Sequence, residues 1–233
     1  MALSAPRRKT YIETFDDGPG GWVANQNEPL QVWDGVAYCY GPWYLDANHA
    51  PPGAGYLHML MYLHTKARHV GPYGKPNRFV DGGYSRDLTN AKLTLRLRGV
   101  LEDKGARLCL LVQAEGPNNS WPRPNYTLTG QPFTITREWS EQSIVLSPDA
   151  AQWTYMGARH DLAAKYGSDL DIGTVLRDVS VDLILVLFPL TVVPVGEVDD
   201  MHRRWAGREY QPDIRHLPRG LIMIDTISIE YPD

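Results

Sequence analysis

Cysteine is almost missing from this 233-residue chain: Cys39 and Cys109 are the only two. Without a CxxC pair or a second cluster there is neither a disulfide framework nor a thiolate metal site to build. Both read as ordinary thiols, and Cys109, inside "RLCLLVQ", reads as buried. Long apolar runs are missing too. The longest, Leu183 to Val195, is broken by Pro189 and Pro194 and falls short of the roughly 20 residues a spanning helix needs. Membrane insertion is therefore not expected. The opening "MALSAPRRKTYIE" has basic residues but no apolar stretch behind them, so it does not read as an export signal. The expected location is cytoplasmic, or secreted if a leader has been removed, and residues 1–10 read as a flexible start. No charge of one sign dominates: 23 Lys and Arg against 27 Asp and Glu leave a net charge of -4. That balance argues against a nucleic-acid binder and a polybasic membrane anchor. There is no HxH, HxxxH or HExxH pair for a transition metal and no G-x-S-x-G elbow for a serine hydrolase.

The chain does have many turn formers, 21 Gly and 18 Pro, and a period-two pattern. "KLTLRLR" places Leu93, Leu95 and Leu97 on one face and charged or polar residues on the other, a half-buried strand. "RLCLLVQAE", "QSIVLS" and "LIMIDTISIEY" read as further strands, and "VSVDLILVLF" as a central one covered on both faces. Asp17-Gly18, Asp34-Gly35, Asp81-Gly82-Gly83, Lys104-Gly105 and Thr129-Gly130 mark turns between them. Helix signals are confined to "SPDAAQWTYMG", "DLAAKYG" and "DIGTVLRDV", each enough for a turn or two. No repeat or linker divides the chain. The expectation is one all-β domain over residues 1–233: a two-sheet antiparallel jelly-roll sandwich with long loops over one face and one or two short helices. Residues 64–86 and 189–219 are long for connections.

Four of the seven histidines fall between Gly41 and Val70: His49, His58, His64 and His69. In "LHMLMYLH" strict alternation puts Leu57, Met59, Met61 and Leu63 on one face and His58, Tyr62 and His64 on the other. Six residues separate His58 from His64, about 20 Å in an extended strand, which is too far for one shared metal ion. The tryptophans Trp22, Trp33 and Trp139 read as core, whereas Trp43 beside Pro42 is as well placed for exposure as for burial.

The residue types around this stretch suit a saccharide. Aromatic faces stack on the apolar side of a sugar ring, while amides, carboxylates and guanidinium groups bond its hydroxyls. Trp43, Tyr44, Asp46, His49, Arg68, Arg78, Tyr84, Gln113, Trp121 and Tyr126 are the candidate ligand-binding residues. Should the chain be an enzyme, a polysaccharide lyase fits best among the alternatives. It needs a His or Tyr base, here His58, Tyr62 or His64, and a cation such as Arg86 to neutralise a uronate carboxylate. A non-enzymatic assembly protein is a further alternative.

Two terminal patterns add a resemblance. "IETFDDGPGGW" (Ile12 to Trp22) and "IMIDTISIEY" (Ile222 to Tyr231) resemble the opening and closing motifs of galactose-binding-like jelly-roll sandwiches of the carbohydrate-binding-module type. The match spans only these two ends of the chain. It implies a saccharide partner, oligomeric or polymeric, and a structural Ca²⁺ bound near the paired termini, for which Asp16 and Asp225 stand at the matching positions. Thr226 departs from the motif, where a second acid is frequent.

Overall fold

The computed structural model describes residues 10–24, 29–46, 56–66, 77–116, 124–156, 170–194, 210–212 and 215–232. In chain order the elements are β1 (Tyr11–Glu13), β2 (Trp22–Ala24), β3 (Gln31–Trp33), β4 (Val36–Tyr40), β5 (Tyr44–Asp46), β6 (Tyr56–His64), α1 (Arg78–Asp81), β7 (Lys92–Glu102) and β8 (Arg107–Gln113). Then come β9 (Asn125–Leu128), β10 (Ser140–Val145), β11 (Trp153–Tyr155), α2 (Ile172–Arg177), β12 (Asp182–Leu190), β13 (Val192–Pro194), β14 (Tyr210–Pro212) and β15 (Arg219–Glu230).

Two antiparallel sheets form the expected sandwich. The first runs β10-β7-β15-β4-β3, with β1 also paired to β15, and the second runs β11-β9-β8-β12-β6-β2, with β5 also on β6. The pairing of β13 with β14 makes a separate small ribbon. Leu93, Leu95 and Leu97 point inward as the alternation of β7 requires, meeting Ile222, Ile224, Ile227 and Ile229 of β15 in one buried core. On β12 every residue from Asp182 to Phe188 is buried, as an apolar run covered on both faces should be.

Trp22 identifies the inner face of the second sheet. It lies opposite Leu63 in the ladder and donates its indole N–H to the Tyr11 hydroxyl of the first sheet at 3.0 Å. Leu63, Leu183 and Val112, directly across from one another, therefore look into the core, and the residues between them look outward.

Several local expectations change. "SPDAAQWTYMG" yields only a 3₁₀ turn, Ala150–Gln152, capped by Asp149, before β11 begins. "DIGTVLRDV" does form α2, whose Asp171 side chain caps the Thr174 N–H, whereas "DLAAKYG" lies outside the described residues. Inside the long 64–86 segment, Asn77 caps the single turn of α1, which the sequence did not signal. Trp22 is core as expected. Trp33 is not: it sits at the Asp34-Gly35 turn on an edge strand, 76% exposed. Trp139 lies half-buried between the guanidinium groups of Arg96 and Arg98, at 4.9 and 4.7 Å from its ring.

Candidate functional site

The histidine strand β6 does not keep its alternation. Against β12, Met61 faces Leu185 while Met59 faces Val186, so one extra residue, Leu60, is accommodated in a bulge. A one-residue shift in a period-two structure sends later side chains to the opposite face. Tyr62 and His64 pair with Ile184 and Asp182 and look outward; His58 pairs with Leu187 and looks into the sandwich. The face shared by His58, Tyr62 and His64 in the sequence reading is thus divided in two by the bulge.

On the outer face a polar row crosses four adjacent strands. His64 is opposite Asp182, Asp182 is opposite Gln113, and Gln113 is opposite Asn125. Strands are spaced by about 4.8 Å, so the row spans about 14 Å. His64 and Gln113 are the last residues of β6 and β8, and Asp182 and Asn125 are the first of β12 and β9. All four therefore stand at one end of the sheet, where the connections 65–77, 114–124 and 156–181 leave it.

The row is held from beneath. The Val181 N–H donates to the Gln113 carbonyl at 3.1 Å, and the Thr65 N–H donates to the Val181 carbonyl at 3.0 Å. The Asn77 amide donates to the His64 carbonyl at 2.7 Å. Beyond the row, Lys66 and Glu115 form an ion pair of 2.5 Å, and the Glu115 N–H donates to the Ser180 hydroxyl.

His64 Nδ1 and Asp182 Oδ1 are 2.5 Å apart. An ionised carboxylate only accepts, so Nδ1 carries the hydrogen in this pair, and in a neutral ring Nε2 would be the acceptor. The Tyr62 ring meets the His64 ring edge-on at 5.1 Å, which restricts its rotation. The side chain of His64 is 26% exposed and forms the accessible end of the row. Gln113, by contrast, is 2% exposed, and its Nε2 has no hydrogen-bond partner. Thr127, which shares this outer face through its pairing with Leu111, is fully buried and its Oγ1 is likewise without a partner. Buried polar groups in proteins are almost always bonded, so these two orphans on one face stand out.

The remaining predicted residues go elsewhere. Arg78 turns to Glu13, donating from its guanidinium to Oε1 at 2.5 Å. Arg86 pairs with Asp178 at 3.0 Å. Tyr84 stacks edge-on against Tyr11 at 5.1 Å, and the Tyr126 hydroxyl donates to the Leu170 carbonyl at 3.1 Å while its ring faces the core side with Tyr155. Burial pushes the Tyr126 hydroxyl above the ordinary tyrosine range. Tyr44 lies opposite Met59, on the outer face but well along the strand from His64, and Asp46 follows it opposite Leu57. Trp43 is buried, only 7% exposed, its ring 6.0 Å from that of His58. Both lie away from the polar row. His49, Arg68 and Trp121 lie outside the described residues.

The two residues at the calcium positions implied by the resemblance each have a partner within the fold. Asp225 sits where β15 shifts register and is bonded to the Arg96 guanidinium at 2.9 Å, a cation where a dication would have to bind. Asp16 accepts from the Thr14 hydroxyl at 2.7 Å. Among the described residues no three His, Cys, Asp or Glu side chains gather as a metal centre. The acid that organises the opening motif is instead Glu13. It is fully buried, bonded to Arg78 and to the Phe15 N–H, and its carboxyl is raised above the ordinary range by burial.

No family model and no curated protein matches the sequence. Among solved structures, the chain is similar at 8% identity and a TM-score of 0.40 to one described with endo-acting O-glycanases that members of the human gut microbiota express to initiate mucin breakdown, over 96% of this chain and 99% of that one. It is also similar to a native glycosidic hydrolase at 12% identity and a TM-score of 0.38, over 99% of each chain. Likeness at this level carries no functional argument, so the function must be read from the site.

The sequence pointed to Tyr62, His64 and Gln113, and less directly to the other two members of the row. Asp182 was visible only as one of several unpaired acids. Its signal is a lone carboxylate at the head of the apolar run "DLILVLF". Asn125 stands in "WPRPNYT", a stretch of sugar-binding residue types, and strand pairing is what brings it beside Gln113.

Proposed function

We propose that the protein recognises a neutral saccharide along the row His64–Asp182–Gln113–Asn125. The observation that carries this reading is the Gln113 amide, a buried donor without a partner in the middle of a row of acceptors and donors. A row about 14 Å long matches the length of two or three sugar units better than that of a single small ion. Sugars offer closely spaced hydroxyls that both donate and accept, as this mixed set requires. Neutrality follows from the arginines: Arg78 and Arg86 are each committed to a carboxylate and are not available to a uronate.

A second reading has its own support in the His64–Asp182 pair. A histidine with a fixed tautomer can take a proton from a substrate held by Gln113, which would make the row a glycan-active site. The arginine commitments weigh against the lyase form of that chemistry.

Titration calorimetry against a panel of neutral and acidic oligosaccharides tests both. Saturable binding of a neutral oligosaccharide, reduced at least about tenfold by Gln113→Leu, supports recognition. No binding across the panel, or equal binding by the variant, removes it. New reducing ends, or ultraviolet absorbance from an unsaturated uronate, that disappear in His64→Ala would favour the second reading.

A further inference from the structure

On the other side of the same sheet, at the open edge of the sandwich, lies a second and chemically different cavity of about 400 Å³. It runs between the sheets and is lined by Gly41, Pro42, Trp43 and His58 on one side and by Leu217, Pro218, Arg219 and Gly220 on the other. A smaller hollow of about 200 Å³ adjoins it past Trp43. The Gly41 N–H donates to the Gly220 carbonyl at 3.1 Å and ties the two walls together. The volume falls within the range of small-molecule pockets.

Its walls are mostly apolar, which is the wrong surface for a sugar ring: each of several hydroxyls would need a partner that proline and leucine cannot give. Two buried polar side chains interrupt it. His58 is 3% exposed, and its Nδ1 lies 3.3 Å from the Tyr44 carbonyl. A carbonyl only accepts, so Nδ1 holds the hydrogen, and Nε2 is an acceptor in the neutral ring. Burial lowers the His58 pKa and so favours the neutral ring. Trp43 supplies the complement. Its Nε1–H is a buried donor without a partner. Arg219 is exposed at the rim.

One acceptor and one donor in an otherwise apolar pocket are satisfied together by a single hydroxyl group, which donates to one and accepts from the other. We infer that this cavity is a separate binding site for a small neutral ring-bearing alcohol, of the phenol type, with its hydroxyl between His58 Nε2 and Trp43 Nε1 and its ring against Pro42, Leu217 and Pro218. The site does not rest on the saccharide reading, because it uses the opposite face of the sheet and none of the same side chains.

Fluorine NMR with 4-fluorophenol and fluorobenzene as probes decides the matter. The full chain should bind 4-fluorophenol saturably and about tenfold more tightly than fluorobenzene, the worth of one well-made buried hydroxyl pairing. Trp43→Phe keeps a ring but removes the donor, and should abolish that preference; His58→Leu removes the acceptor and should do the same. Either variant suffices provided it melts cooperatively. Equal affinity for the two probes, no saturable binding by wild type, or an undiminished preference in a folded variant would overturn the assignment.

Discussion

Replacing Arg78 by methionine tests how the start of the chain is held. Glu13 is fully buried on the core side of β1, opposite Ile227. Its Oε1 receives the Phe15 N–H at 2.9 Å and the Arg78 guanidinium at 2.5 Å, while Oε2 has no partner. Methionine fills the same space as the arginine stem but leaves a carboxylate in the interior with one hydrogen bond. Breaking a buried pair in this manner costs about 3–5 kcal/mol. Since a third of the Arg78 side chain is in water, the lower end, about 3 kcal/mol, is expected. Folding already favours the protonated form of Glu13, because burial outweighs its hydrogen bonds and the arginine. Its contribution to stability is therefore fully present below the ordinary carboxylate range and is lost as pH rises through the raised folded value. Removing Arg78 raises that value further, so the deficit of the variant should be largest at neutral pH and shrink on acidification. Urea unfolding from pH 4 to 8 measures this. Glu13→Gln added to Arg78→Met should recover part of the loss, giving a coupling of about 1–3 kcal/mol. A loss under about 1 kcal/mol at pH 7, or a double variant as weak as the sum of the singles, would refute the buried-pair account.

Gln113→Leu should cost the protein its saccharide affinity yet raise its melting midpoint by about 2–4 °C, since removing an orphaned buried donor is worth about 1 kcal/mol; a lower midpoint would mean that the amide is already satisfied. Gly20→Ala should destabilise by about 2–3 kcal/mol, because its φ is 59° and the new methyl would sit 1.6 Å from Glu13 Oε2; unfolding as wild type would contradict the close approach. Trp33→Ser should change stability by less than about 0.5 kcal/mol, as for other surface positions, in contrast to a core tryptophan. Chelation should leave the melting midpoint unchanged, because Arg96 already occupies the Asp225 carboxylate; a drop on adding chelator would restore the calcium site.

The sandwich was legible in the sequence because its inward positions obey period two: Leu93, Leu95 and Leu97 on β7 and the apolar run of β12 do what their spacing says. The site was only partly legible. Alternation fixes which face a residue takes only while the ladder stays regular, and nothing in "HMLMY" marks Leu60 as the residue that breaks it. The partners of charged groups were not legible either. Arg78 and Arg86 look like ligand-binding cations in a linear reading, but Glu13 and Asp178, distant along the chain, meet them in the fold. Trp33 escaped the core because it falls on the solvent side of its edge strand, and Trp139 because it lies ahead of β10 against Arg96 and Arg98, neither of which composition can disclose.

The extra residue in β6 makes that strand a two-sided part. His58 serves one compartment and His64 another, six positions along the same backbone. Deleting Leu60 would restore strict alternation yet leave His58 inward and Tyr62 and His64 outward, because the two histidines would then stand five residues apart. A single-codon deletion would therefore keep one imidazole in each compartment, whereas flattening the bulge at full length would bring His58 out beside His64. The bulge is thus what lets two histidines an even number of positions apart serve opposite faces of one sheet.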